Sequence, residues 1–347
     1  MKRKRIFPYS KLTLAWVVFL VASYAQVAAA QFVRVSGTYV PDSDVSFLST
    51  VNDAVEPDPV ARVETAEISA ALNLPIKLGA QSVLVVGASY GLLFADQESN
   101  SLLFGGSREF HAVAVVTTLS HRFDDKWSML LRAGAGLSSD FIDLDVEESF
   151  RGQFGAILSY QLETNLRIGG GIFVGNSLGE LAPLPALLLN WQVSETVALD
   201  FVFPLNLDLR WTPFERLELG LSATLTGDAY QLSPNRGRDA WPCSEEPADF
   251  PGTTYDETEA DPNRCLTRLS TSRADIGPYL GVRLGGGLWF QVQASVPAFR
   301  RFEFLNEDGE TPDVGDLELD RNVVLSARLE LRFPPRAGSR EGGPTRQ

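Results

Sequence analysis

Beyond residue 30 the chain has almost no lysine: only Lys77 and Lys126 remain, and the whole sequence holds two histidines, His111 and His121, and two cysteines, Cys243 and Cys265. Each scarcity excludes something. A formal charge of −14 leaves no general basic surface for phosphate backbones, so nucleic acid is excluded as a partner. Two thiols with no histidine nearby are a poor zinc set and give no activated catalytic thiol. No apolar run of about 18 residues follows Gln31, which excludes a transmembrane helix. Any membrane span must therefore be built from strands, since lipid tolerates no unpaired backbone.

The N-terminus reads as a targeting segment. Lys2, Arg3, Lys4 and Arg5 form a positive region, Leu12 to Ala22 is almost wholly apolar, and Ala28, Ala29 and Ala30 are small residues suited to signal peptidase. The apolar run is too short for a membrane anchor, which needs about 20 residues. The expectation is a signal peptide over 1–30 and a mature chain from Gln31. Removing it takes five cations (Lys2, Arg3, Lys4, Arg5, Lys11) and no acid, so −14 less five gives −19.

What the remainder has in abundance is alternation. Trp127, Met129, Leu131, Ala133, Ala135 and Leu137 share one face of an extended chain, opposite Ser128, Arg132, Gly134, Gly136 and Ser138. Phe154, Ala156, Leu158, Tyr160 and Leu162 repeat the pattern opposite Gln153, Gly155, Ser159 and Gln161. Such segments predict strands at 32–40, 62–76, 81–94, 109–123, 126–138, 150–162, 165–176, 184–193, 196–203, 205–212, 215–230, 272–284, 287–298 and 321–333. That makes fourteen, or twelve if Phe203-Pro204 is a bend within one strand and neighbouring boundaries merge. An even count suits a closed bacterial barrel.

The connections alternate in length. Long ones fall at 41–61, 95–108, 139–149, 177–183, 231–271 and 299–320; short ones fall at 77–80, 124–125, 163–164, 194–195, 213–214 and 285–286. Outer-membrane barrels have short periplasmic turns and long extracellular loops, which puts both chain ends in the periplasm. A soluble β-sandwich also alternates, but its strands are usually about five or six residues long, and many here exceed ten. The expected class is an all-β closed antiparallel transmembrane barrel over 31–333, in a Gram-negative outer membrane, with lipid as its surroundings.

The last strand places Val323, Leu325, Ala327, Leu329, Leu331 and Phe333 on one face and Ser326, Arg328, Glu330 and Arg332 on the other. Ending on an aromatic, it resembles the C-terminal signal read by the barrel-assembly machinery, which implies that machinery as a partner during insertion. It departs in that Pro334 to Gln347 follow; their Gly, Pro, Arg and Ser content predicts a disordered tail over 334–347. The stretch from Leu184 to Tyr230 resembles an uncharacterised family of bacterial outer-membrane β-barrel domains. The likeness lies in Leu184-Pro185, a strand to Trp191, the close on Phe203-Pro204, Leu207-Asp208-Leu209-Arg210-Trp211, and Gly227-Asp228-Ala229-Tyr230. The resemblance implies the barrel and its location, and no substrate or catalytic residue.

By parity the lumen collects Arg34, Glu67, Asn73, Arg132, Arg167, Asp200, Asp208, Arg210, Glu218, Asp228, Arg273, Asp275, Arg283, Arg328, Glu330 and Arg332. They are either a selectivity field for charged solutes or mutual ion pairs filling a wet interior; the mixed signs favour pairing. Trp289 also points inward by parity, where it could stack on a sugar. Tyr39, Tyr90, Trp127, Tyr160, Trp191 and Trp211 suit the interfacial girdles. Cys243 and Cys265 share the longest loop, so a disulfide is expected in an exported protein. The same loop carries Glu245, Glu246, Asp249, Asp256, Glu257, Glu259 and Asp261, but without an ordered calcium-loop motif, so neither metal nor cofactor is expected. Ser107 and Ser138 lie near the rim bearing His111, yet form no nucleophile motif, and an enzyme is not expected. The function read from this is a passive or weakly selective pore for small solutes; the alternative is a non-conducting barrel with a structural, adhesive or ligand-binding role through its acidic loops. The solute or ligand is not given by the sequence.

Overall fold

A computed structural model describes residues 32–47, 61–97, 108–175, 182–204, 206–233, 267–305, 316–320 and 322–332. The expected signal segment, the expected tail, and the expected loop with Cys243, Cys265 and its acids lie outside the described residues.

The strands are β1 (Phe32–Phe47), β2 (Ala61–Lys77), β3 (Ser82–Gln97), β4 (Arg108–Arg122), β5 (Trp127–Ser139), β6 (Phe150–Glu163), β7 (Leu166–Gly175), β8 (Ala182–Gln192), β9 (Val197–Phe203), β10 (Asn206–Phe214), β11 (Leu217–Gln231), β12 (Arg268–Gly285), β13 (Leu288–Leu305), β14 (Asp316–Leu319) and β15 (Val324–Leu331). A four-residue helix, α1 (Val146–Ser149), precedes β6. Each strand pairs antiparallel with its sequence neighbour, and β14 and β15 both lie between β13 and β1. They are two pieces of one stave, so the sheet closes as a barrel of fourteen. Closure removes the edge strands that would otherwise leave backbone groups unpaired.

The alternation sorts as the sequence requires. Val115, Leu158, Leu187, Val296 and Leu325 stand outward, each about half exposed, and the residues between them point inward. Leaving so much apolar surface outside is costly in water and favourable in lipid. The short connections, 78–81, 123–126, 164–165, 193–196, 215–216 and 286–287, share one rim with the start of β1 and the end of β15. Trp127 packs on Tyr160 there, ring centroids 4.9 Å apart, and Trp191 and Trp211 stand exposed near the same rim.

Three strands extend well past the boundaries read in the sequence. β1 runs past Val40 to Phe47, β12 begins at Arg268, and β13 continues to Leu305. Each extension lies beside an irregularity. The register with β2 shifts between Val40 and Ser43, and the pairing of β12 with β13 steps from Ala274–Phe299 to Asp275–Pro297. A bulge adds one residue and exchanges the faces, so the inward set changes from Gln291, Gln293 and Ser295 to Arg300, Phe302 and Phe304. A period-two reading stops where the strand does not. The last strand also differs: β15 covers Val324–Leu331 of the expected 321–333, and the separate short strand β14 precedes it within the expected connection.

Candidate functional site

The lumen is layered from the short-turn rim to the long-loop rim. Nearest the short turns is a charged layer. Glu330 on β15 pairs with Arg34 at 3.2 Å and with Arg332 at 3.4 Å; Arg332 also reaches Glu218 on β11 at 2.8 Å. On the adjoining wall Arg210 pairs with Asp200 at 2.8 Å, and Asn190 donates to the same carboxylate at 2.9 Å. Tyr279 donates to Asp208 at 2.8 Å. The guanidinium of Arg332 covers Trp289, 5.0 Å from its ring centroid, so that ring is turned inward but already stacked.

Above this lies a chamber walled by hydroxyls and amides, including Ser36, Thr38, Ser69, Gln291, Gln293, Ser295 and Ser326. Its volume is about 200 Å³. Arg328 lines it and makes no hydrogen bond or ion pair within the protein among the described residues. The far side of the chamber is bounded by a second charged layer. Arg273 reaches both oxygens of Glu67, at 3.1 and 3.3 Å, and binds Asp275 at 2.6 Å. Arg300, almost fully buried, donates to the hydroxyls of Ser43 and Thr65 at 3.0 and 2.6 Å.

The long-loop end is closed by apolar side chains. Val63, Leu93, Phe110, Tyr230, Leu269, Phe302, Phe304 and Leu319 belong to one buried cluster. Phe110 on β4 and Tyr230 on β11 sit 5.2 Å apart, centroid to centroid. These strands are seven staves apart in either direction round the ring, so two opposite walls touch. Around that contact the backbone itself crosses: Gln231 and Ser139 form a parallel bridge between β11 and β5. The segment 140–149 stitches the crossing. Ser233 donates to Asp140, Asp145 donates from its backbone to Gln231 at 3.1 Å, Ser149 donates to the same amide oxygen, and Ser138 donates to Asp228 at 3.1 Å. α1 is held in place by its cap, Asp145, whose carboxylate accepts from the amides of Glu147 and Glu148. Within the wall itself β5 lies close against its neighbour β4 at Gly136, where the Cβ of any replacing residue would overlap the carbonyl of Val113.

Of the residues singled out from the sequence, Arg34, Glu218, Glu330 and Arg332 form one network, Glu67, Arg273 and Asp275 a second, and Asp200 and Arg210 a third. Asp208 belongs to Tyr279 and Asp228 to Ser138. Arg132 and Arg167 bond Gln153 and Gln161, at 3.3 and 3.0 Å, and Arg283 stands by the short-turn rim. Asn73 lies against Gly87. Arg300, Phe110, Tyr230 and Ser43 were not singled out. The bulge hid Arg300 and Ser43. Phe110 and Tyr230 were legible only as apolar residues on an otherwise polar face.

Both histidines face outward. His111 meets the Tyr90 hydroxyl at 2.8 Å, and His121 meets Ser82 at 2.8 Å with Phe123 edge-on against its ring. Ser138 lies inside, away from His111. Among the described residues His121 has no acidic orienter, and no three metal-ligating side chains group together.

A family model matches residues 24–246, more than half of the chain. No curated protein matches it. Among solved structures, an outer-membrane channel from Pseudomonas putida F1 is 10% identical with TM-score 0.43, covering 88% of this chain and 95% of that one. A FadL homologue from Pseudomonas aeruginosa is 10% identical with TM-score 0.40, covering 88% and 91%. The translocator domain of the autotransporter NalP from Neisseria meningitidis is 10% identical with TM-score 0.34, covering 94% and 98%. Likeness at this level assigns no function.

Proposed function

Because the chain belongs to the family described as Domain of unknown function (DUF6268), which brings no activity with it, we propose a function from the geometry: an outer-membrane channel for small polar solutes, shut at rest at its outer end. The observation that carries this reading is the layered lumen, polar from the short-turn rim to Arg273 and then closed across its diameter by Phe110 and Tyr230. A barrel with a purely structural role has no need of a hydroxyl-lined chamber behind an apolar seal. Burial of a Phe side chain is worth about 1.5–3 kcal/mol, so opening the seal past Phe110, Phe302 and Phe304 is costly, and the closed state dominates.

In this reading residues 1–30 are a cleaved signal peptide, the barrel over 31–333 is inserted by the assembly machinery, and 334–347 is a periplasmic tail. The long-loop rim faces outward, and the chain works without catalysis or cofactor. The second reading, a non-conducting barrel that binds or adheres through its acidic outer loops, is favoured by the same seal if it never opens.

Planar-bilayer recording of the purified protein tests the choice. The wild type should show rare, brief conductance steps, and the double variant Phe110→Ser with Tyr230→Ser should show frequent ones. Silence from both, with the variant folded, would favour the second reading.

A further inference from the structure

The chamber beneath the seal has more chemistry than a water-filled passage requires. Resting on the channel reading above, we propose that it is a binding site for a small hydroxylated carboxylate of the sugar-acid type, with Arg328 as the anchor for the carboxylate. Four observations converge. First, Arg328 lines the cavity and has no hydrogen bond or ion pair within the protein among the described residues, whereas Arg34, Arg273 and Arg332 are all paired with carboxylates. A guanidinium offers a planar fork of N–H donors that matches a carboxylate. Second, Asp275, 5% exposed and lining the same cavity, has one oxygen, Oδ1, that is buried and accepts no hydrogen bond. A buried carboxylate oxygen without a donor is costly, and a solute hydroxyl supplies one.

Third, the wall between them is neutral and polar: Ser36, Ser69, Gln291, Gln293 and Ser326 present hydroxyls and amides, which both donate and accept. Such a lining recognises a solute with several hydroxyls and gives an apolar acid nothing. Fourth, the cavity of about 200 Å³ is smaller than the roughly 300 Å³ at which pockets for drug-sized ligands begin. It suits a chain of a few carbons. In the layer beyond, Arg273 is paired with Glu67 and Asp275, and Arg300 is held by Ser43 and Thr65 outside this chamber's lining, so the solute's negative end belongs at Arg328.

Isothermal titration of the detergent-solubilised, folded barrel separates this proposal from the channel reading, because it needs no conductance. The probes are gluconate, its neutral counterpart sorbitol, and hexanoate, a carboxylate without hydroxyls. Gluconate should bind at least tenfold more tightly than either control. Arg328→Gln should weaken gluconate about tenfold or more, as expected for loss of a charge-assisted pair, and leave sorbitol unchanged; Arg328→Lys should recover part of the loss. Heat-modifiable gel migration checks that each variant is folded. Gluconate binding that is undetectable, unaffected by Arg328→Gln, or matched by hexanoate or sorbitol overturns the proposal. If gluconate binds as expected while bilayer recordings stay silent, the site stands and the channel reading falls.

Discussion

Tyr279 on β12 reaches across β11 to donate a hydrogen bond to Asp208 on β10 at 2.8 Å, and its ring lies over Gly220, where any side chain would overlap it. The glycine makes the bridge: three staves are tied by one side chain because the middle one has none. Tyr279→Phe should destabilise the barrel by about 1 kcal/mol, the usual net worth of a hydrogen bond. Gly220→Val should cost more, since the ring must leave. Combined with Tyr279→Ala it should cost less than the two single changes added together, because the clash and the bond involve the same group. Unfolding of the detergent-solubilised protein in guanidinium measures all of these.

The two faces of one strand should respond oppositely to charge. Leu158 is 46% exposed on the outer surface of β6, and Leu158→Arg should cost about 2–4 kcal/mol near the membrane midplane. Its neighbour Ser159 points inward, where a period-two reading alone expects room for any polar residue. It is instead buried, hydrogen-bonded to Ser128 at 2.8 Å and packed against Gly169. Ser159→Ala should cost about 1 kcal/mol, and Ser159→Arg considerably more. Folding titrations into lipid vesicles distinguish the two sites.

That contrast marks what the sequence could carry. Alternation told inside from outside at Trp127 to Leu137 because each residue there reports only on its own side chain. It failed at Val40 to Ser43 and at Pro297 to Phe299, where an added residue exchanges the faces and the pattern looks like loop. It was also blind to distance across the lumen. Phe110 and Tyr230 lie on opposite walls, and nothing local to either says that the barrel is narrow enough for them to touch. Ion pairs such as Arg332–Glu218 were legible as a mixture of charges, but not as particular partners.

In the short-rim turn the Asp124 carboxylate accepts from the amides of Trp127 and Lys126 at 2.6 and 2.7 Å. Those two bonds, Trp127's first, favour its charged form and hold its pKa below the ordinary value of 3.8. A lowered pKa in the folded state means the contribution is complete above the unfolded value and is lost as pH falls through the folded one. The amides of Lys126 and Trp127 should therefore stay protected from hydrogen exchange at neutral pH and lose protection only in strong acid. Asp124→Ala should expose them at every pH.

Cys243 and Cys265 lie in a loop expected on the outer surface of an exported protein, and a bridge between them would close about 20 residues, worth on the order of 3 kcal/mol to an otherwise free loop. Replacing both with Ser should leave insertion intact, because the barrel ladder does not depend on the loop. On intact cells an impermeant maleimide should label them only after reduction. Labelling without reductant would mean no bridge, and no labelling even after reduction would reverse the assignment of the two rims.

The crossing of β5 and β11 offers the most direct handle on gating. Ser139 and Gln231 are backbone partners in a parallel bridge, and adjacent strands lie about 4.8 Å apart, within reach of a disulfide. In a background with Cys243 and Cys265 replaced by Ser, Ser139→Cys with Gln231→Cys should oxidise to a bridge that fixes the two walls together. Gln231 also accepts from Asp145 and Ser149, so its loss weakens the natural ties that hold segment 140–149 across the mouth. The reduced double variant should then open more often than the wild type in a bilayer, and oxidation should silence it. If oxidation leaves the openings of the reduced form unchanged, solutes do not pass between these walls, and the seal at Phe110 and Tyr230 is not the gate.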